Sequence, residues 1–283
     1  MRKVVLSARG VGVSFGGLVA LKDFSLDVRT GDLLGLIGPN GAGKTTAFNL
    51  LTGVYAPSEG DVLLADTRVN GAKPSAICRK GMARTFQNIR LFKQLSVLDN
   101  VRVACVADSA RAVFGTSSQL GRAFSNYYDW WRALLLSPGH QREENEITKR
   151  ALRLLDVMGL RAKADHVAQS LPYGEQRRLE IARALGTRPK VLLLDEPAAG
   201  MNTREKAELM DLIRELRERF SLGILVIEHD MKLVMGICER ITVLNRGQII
   251  AVGSPSEIQG NPSVVEAYLG TTAARSAQAR QAD

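Results

Sequence analysis

The run Gly38-Pro39-Asn40-Gly41-Ala42-Gly43-Lys44-Thr45-Thr46 has the spacing G-x-x-x-x-G-K-[ST] of a phosphate-binding loop. Glycines there let the backbone wrap so that successive N–H groups and a helix N-terminus face a β-phosphate. Lys44 supplies a point charge and the Thr45 hydroxyl can ligate Mg²⁺. The ligand this chemistry suits is a nucleoside triphosphate. A second apolar run, Val191 to Leu194, ends in Asp195-Glu196. Beside a phosphate loop, Asp195 would hold the metal directly or through water, and Glu196 would polarise the attacking water. A third, Ile224 to Ile227, runs into Glu228-His229-Asp230, where an imidazole could hydrogen-bond a γ-phosphate and orient the water. Gln87, in Arg84-Thr85-Phe86-Gln87-Asn88, carries no signal by itself. Phe15, in Val13-Ser14-Phe15-Gly16-Gly17, reads equally as a core residue or as an aromatic platform for adenine.

The elements that must position these residues follow from apolar patterning. Short β-branched runs at Leu26 to Val28, Leu33 to Ile37, Asp61 to Leu64, Val191 to Leu194, Ile224 to Ile227, Ile241 to Leu244 and Ile249 to Val252 predict strands. The loop falls between Leu33–Ile37 and a helix-like segment, Thr45 to Thr52. Leu209, Leu212, Ile213, Leu216 and Phe220 recur at helical spacing, with Asn202 and Glu205 placed as N-cap and N3. Alternation of strands and helices predicts an α/β core with a parallel central sheet. Between Leu95 and Arg183 the pattern turns helical, which predicts a lobe inserted into that core. Within it Phe124, Tyr127, Tyr128, Trp131 and Leu135 share one helical face. That stripe fits packing inside the lobe, or docking on a membrane protein or headgroup layer. The tail from Thr271 to Asp283 is small and polar and is expected to be disordered.

A chain of 283 residues can bury a substantial core. No run approaches the roughly 18 apolar residues of a membrane span, and Ser7 and Arg9 follow Met1-Arg2-Lys3 too soon for a signal peptide, so a cytoplasmic protein is expected. Cys78, Cys105 and Cys238 are widely spaced with no CxxC pair, which disfavours disulfide and zinc frameworks and suggests buried thiols. A formal charge of +9 suits nucleic acid, an anionic membrane surface or a nucleotide, but the basic residues are scattered, as on a solvated surface.

In this order the pieces resemble the nucleotide-binding subunits of ABC transporters, across roughly residues 5 to 255. The resemblance implies a P-loop NTPase core with an N-terminal antiparallel β subdomain and an inserted helical lobe. The core would occupy 1–94 and 184–255, the lobe 95–183, a C-terminal helix 256–270 and the tail 271–283. Phe15 looks like the aromatic that stacks on adenine, Gly38 to Thr46 like Walker A, and Gln87 like the Q-loop glutamine that contacts metal and water. Asp195 and Glu196 look like the Walker B aspartate and catalytic base, Ala198 to Asn202 like the D-loop, and His229 like the switch histidine. Leu171-Pro172-Tyr173-Gly174-Glu175 stands where the signature belongs, Gly174 being placed to face the opposite subunit's ATP. It departs from the usual Leu-Ser-Gly-Gly-Gln, since Pro172 offers neither hydroxyl nor N–H. Asn202 at the D-loop aspartate position is a second departure.

Finer likeness lies in Arg84 to Phe92, Tyr173-Gly174, Glu196 to Asn202, Glu228 to Gly236, and the ending Asn261-Pro262 to Tyr268-Leu269-Gly270. These are similar to ATPases of branched-chain amino acid importers, whose relatives handle amides or urea. What this implies is an ATP- and Mg²⁺-dependent ATPase at the cytoplasmic face of the plasma (inner) membrane. Its partners would be two transmembrane permease subunits, a second, non-identical ATPase and, indirectly, a secreted solute-binding protein. Nucleic acid is not expected. A soluble ABC ATPase acting on nucleic acid or ribosomes is the competing reading, and a nucleotide-gated scaffold that barely hydrolyses ATP is a third.

Overall fold

The computed structural model describes residues 2–114 and 138–269. The aromatic stripe at Phe124 to Leu135 and the tail from Thr271 lie outside the described residues. The chain forms two compact units, Met1–Gln87 with Lys190–Asp283, and Asn88–Pro189. The second unit contains the span 95–183 expected for the lobe.

In the first unit a six-stranded sheet runs β10 (Gln248–Gly253), β9 (Arg240–Asn245), β3 (Leu33–Ile37), β8 (Gly223–Ile227), β7 (Val191–Asp195), β6 (Met82–Arg84). All pairs are parallel except β10 with β9. Every residue of β3, β7 and β8 is buried. Such unbroken apolar runs belong to strands covered on both faces, and they were the clearest strand signals in the sequence. Packing on the sheet is close enough that a Cβ at Gly35 would lie 2.6 Å from Val234 Cγ1, on helix α7 (Met231–Ile237).

An antiparallel sheet, ordered β2 (Leu18–Arg29), β1 (Val4–Phe15), β4 (Glu59–Leu64), β5 (Thr67–Arg68), forms the N-terminal part. Patterning found only Leu26–Val28 and Asp61–Leu64 of it. In β1 the side-chain alternation is broken: Val5 to Ala8 are all buried, and the register with β2 shifts between Ala8 and Val11, where Gly10 sits at φ 55. Strand β6 is too short to leave a periodic trace. The expected single helix over 256–270 is a correction. Two helices stand there, α8 (Pro255–Gln259) and α9 (Pro262–Leu269), because Gly260 caps the first and Pro262 cannot continue it.

The second unit contains α3 (Val97–Phe114), α4 (Pro138–Val157) and α5 (Tyr173–Gly186). Val97, Val101, Cys105, Ala151, Leu155, Leu179 and Ala182 are all buried within it. Buried Asn100 ties the approach to α3 together, donating from Nδ2 to the Phe92 and Ser96 carbonyls and accepting the Phe92 N–H. Among the described residues no helix is long and apolar enough to cross a membrane.

Candidate active site

Parallel pairing carries three chemically loaded strand ends to one edge of the first unit. Leu36 of β3 is in register with Ile227 of β8, and Ile227 with Asp195 of β7. The glycine loop follows β3, Asp195 ends β7, and Glu228-His229 follow β8. Ligands of open parallel sheets bind outside these carboxyl ends.

The loop is held by its own backbone. Ala42 N–H donates to the Pro39 carbonyl at 3.1 Å, and Gly247 N–H donates to the Ala42 carbonyl at 2.9 Å. A Cβ at Gly38 would stand 2.1 Å from the Leu244 carbonyl oxygen, so only glycine fits beside β9. Gly43, at φ 102, turns the chain into α1 (Lys44–Leu51) without a side-chain cap. The first-turn N–H groups of that helix are therefore uncommitted to side chains. Asn40, Gly41 and Thr45 are exposed, and Thr46 is half-buried. Lys44 is buried, its Nζ donating to the Gly38 and Pro39 carbonyls at 2.7 and 3.0 Å. Burial lowers its pKa, and the charges of Glu196 and Asp195 oppose that shift. The ammonium and both carboxylates thus share one site.

Asp195 is buried, and its N–H donates to Thr85 Oγ1. Its Oδ2 accepts from Arg84 Nη2 at 2.7 Å, with both side chains 8% exposed. Sequence reasoning gave Arg84 no role, because an arginine three residues before a glutamine carries no pattern. Glu196 adopts φ 46, unusual for a residue with a Cβ, and its N–H donates to the Ile227 carbonyl. Its Oε2 accepts from Gln87 Nε2 at 2.9 Å and lies 3.7 Å from His229 Nδ1, beyond hydrogen-bond range. Gln87, Glu196 and His229 are therefore together. Behind them Glu228 accepts the Ala198 N–H from a 2% exposed position, and burial raises its pKa.

Phe15 is 45% exposed, so it is not a core residue; it meets Tyr55 edge-on with ring centroids 5.0 Å apart. Tyr268 stands on α9. Burial pushes its phenol up to about 12, with the Gly38 backbone acting in the opposite sense. Tyr55 carries no signal in the sequence, and Tyr268 enters there only as part of the ending Asn261 to Gly270. Gly174 lies in the second unit, in the first turn of α5. That helix is preceded by Pro172 as an N-cap with no side-chain acceptor, and Glu175 is paired with Lys163.

The residue types fit both groups the motifs imply. The glycine loop, uncapped helix start and desolvated lysine form a cradle for phosphate. Asp195, Thr45 and Gln87 offer hard oxygen donors. Among the described residues no three His, Cys, Asp or Glu side chains form an ion cage. Mg²⁺ is usually held by one or two carboxylates together with substrate phosphates and waters.

The family model for "ABC transporter" matches residues 21–199. The chain belongs to the ABC transporter ATP-binding family. A second model, "Branched-chain amino acid ATP-binding cassette transporter", matches residues 248–274 of this ABC ATPase. It is 44% identical, over 95% of its length and 99% of the relative's, to the high-affinity branched-chain amino acid transport ATP-binding protein LivG of Escherichia coli K12. It is 42% identical, with the same coverage, to the corresponding protein BraF of Pseudomonas aeruginosa. Among solved structures it resembles MJ1267, an ATP-binding cassette of an ABC transporter, in its ADP conformation. The TM-score is 0.76 at 29% identity, covering 95% of this chain and 99% of that one. ABC ATPases bind and hydrolyse ATP for a transporter, and this is the activity of the chain.

Proposed function

We propose that the protein is the ATP-hydrolysing subunit of an importer for branched-chain or other hydrophobic amino acids, held peripherally at the cytoplasmic face of the inner membrane. It would work beneath two permease subunits, paired with a second, non-identical ATPase, and serve a secreted solute-binding protein. The observation that carries the reading is the register that brings the phosphate loop after β3, Asp195 and Glu196 to one edge of the sheet. The solute class rests on likeness to LivG and BraF.

On this reading Phe15 stacks on adenine, and the loop N–H groups and Lys44 neutralise the β- and γ-phosphates. Thr45, Asp195 and Gln87 would hold Mg²⁺, which would supply charge neutralisation at the transferred phosphoryl group. Glu196 accepts the proton of a water whose oxygen bonds to the γ-phosphorus as the bond to the bridging oxygen breaks. Gln87 orients the Glu196 carboxylate, and His229 hydrogen-bonds the γ-phosphate. Gly174 and the start of α5 serve the ATP of the partner ATPase.

Phosphate release and leucine uptake, measured in proteoliposomes carrying the assembled complex, test this. Glu196→Gln is expected to abolish both while leaving ATP binding intact. Undiminished phosphate release by that variant would refute the assignment, and ATP hydrolysis without uptake of any hydrophobic amino acid would refute the solute class.

A further inference from the structure

Arg84, with its side chain 8% exposed, is a cation that the mechanism above leaves unused. It ends β6, three residues before Gln87, and binds more than Asp195. Its Nη1 donates to Asn49 Oδ1 at 2.7 Å and reaches Thr52 Oγ1 at 3.3 Å. Its guanidinium carbon lies 5.5 Å from the Phe48 ring centroid and 5.1 Å from that of Phe86. Phe48 and Asn49 belong to α1 and Thr52 is its C-cap, so they sit on the helix that opens at Lys44 and Thr45. One side chain therefore links the phosphate-loop helix, the acidic end of β7 and the strand leading to Gln87.

The direction of the constraint can be read from the partners. Two ring faces and two polar side chains hold the guanidinium without help from Asp195, so Arg84 is the fixed member of the pair. Beyond its place at the end of β7 and its N–H bond to Thr85, Asp195 has its carboxylate engaged by Arg84 through Oδ2. Lys44 does not substitute for Arg84, because its ammonium is turned to the Gly38 and Pro39 carbonyls.

We propose that Arg84 is a positioning residue for magnesium binding. It grips Asp195 by one oxygen and sets that carboxylate against the helix bearing Thr45. The inference rests on reading Asp195 as the metal carboxylate. Groups that orient metal ligands typically change metal affinity by about 10- to 100-fold when removed.

The test is binding of a fluorescent ATP analogue to the full chain, titrated with Mg²⁺ and repeated in EDTA. Arg84→Met is expected to raise the half-saturating Mg²⁺ about tenfold or more. Arg84→Lys, which keeps the charge and loses the fork, is expected to raise it about threefold. Asn49→Ala, which loosens the aim of Arg84, should shift it in the same direction, and affinity in EDTA should stay at the parent's value in all three. Folding is followed by circular dichroism. A folded Arg84→Met with the parent's Mg²⁺ half-saturation would overturn the proposal, as would equal losses with and without Mg²⁺. If Arg84→Met does not fold, unchanged half-saturation in both Arg84→Lys and Asn49→Ala overturns it. A parent chain that binds nucleotide without any Mg²⁺ dependence would instead overturn the underlying functional reading, and this proposal with it.

Discussion

Glu196 shows how a single residue combines chemistry with backbone cost. Its φ of 46 is a conformation that costs on the order of 1–3 kcal/mol for a residue with a Cβ and persists only where the surroundings impose it. Here the Ile227 carbonyl fixes its N–H and Gln87 fixes its carboxylate. Gly38 is constrained more tightly. Gly38→Ala must displace the Leu244 backbone and is expected to cost about 1–3 kcal/mol in urea unfolding and to weaken nucleotide binding. A variant as stable as the parent would mean that the loop and β9 are less closely packed. Lys44 makes a pH prediction. Burial lowers its folded pKa below 10.5, so the folded state disfavours the ammonium. Stability of the nucleotide-free chain from this group therefore rises as pH climbs through the folded pKa toward 10.5. Nucleotide affinity, which needs the cation, falls over the same window. Melting curves with and without ATP across that range, compared with Lys44→Met, check both signs; affinity that stays flat up to pH 10.5 would contradict them.

At the scale of elements, the helix α6 (Thr203–Phe220) was legible end to end. Asn202 accepts the Glu205 N–H and Glu205 accepts the Asn202 N–H, the reciprocal cap that their spacing indicated. Leu209, Ile213 and Leu216 are buried, while Phe220 is exposed because the chain leaves the helix at Ser221 in the left-handed region. Asn202→Ala is expected to cost about 1 kcal/mol and Asn202→Asp almost nothing, since aspartate caps equally well. Thermal unfolding measures both, and a large loss in Asn202→Asp would mean that this position does more than cap. The departure from the family's aspartate at Asn202 is thus compatible with the helix it begins. Strand β1 was not legible, because its irregular register and four consecutive buried residues match neither an alternating nor a helical template.

At the scale of the molecule, the proposed pairing with a second, non-identical ATPase predicts how turnover should depend on the partner. Pro172 removes a hydroxyl and an N–H from the position that would face another subunit's nucleotide, and the helix after it has no side-chain cap. If the partner ATPase is non-identical, the purified chain alone should hydrolyse ATP far more slowly than the assembled complex. Full activity from the chain by itself would argue for a self-sufficient pair.

The sequence by itself determined the class of chemistry: a glycine loop, two strand-end carboxylates and a histidine are local patterns, each written in a few neighbouring residues. Apolar runs likewise disclosed the buried parallel strands, since burial on both faces selects composition directly. Only the tertiary structure decided that Arg84 engages Asp195 across 111 positions of chain, and that Phe15 is exposed beside Tyr55 rather than in the core. Those outcomes depend on strand order and on which surfaces meet. Contacts between distant residues leave no periodic mark on either partner, so they become visible only once the sheet has assembled.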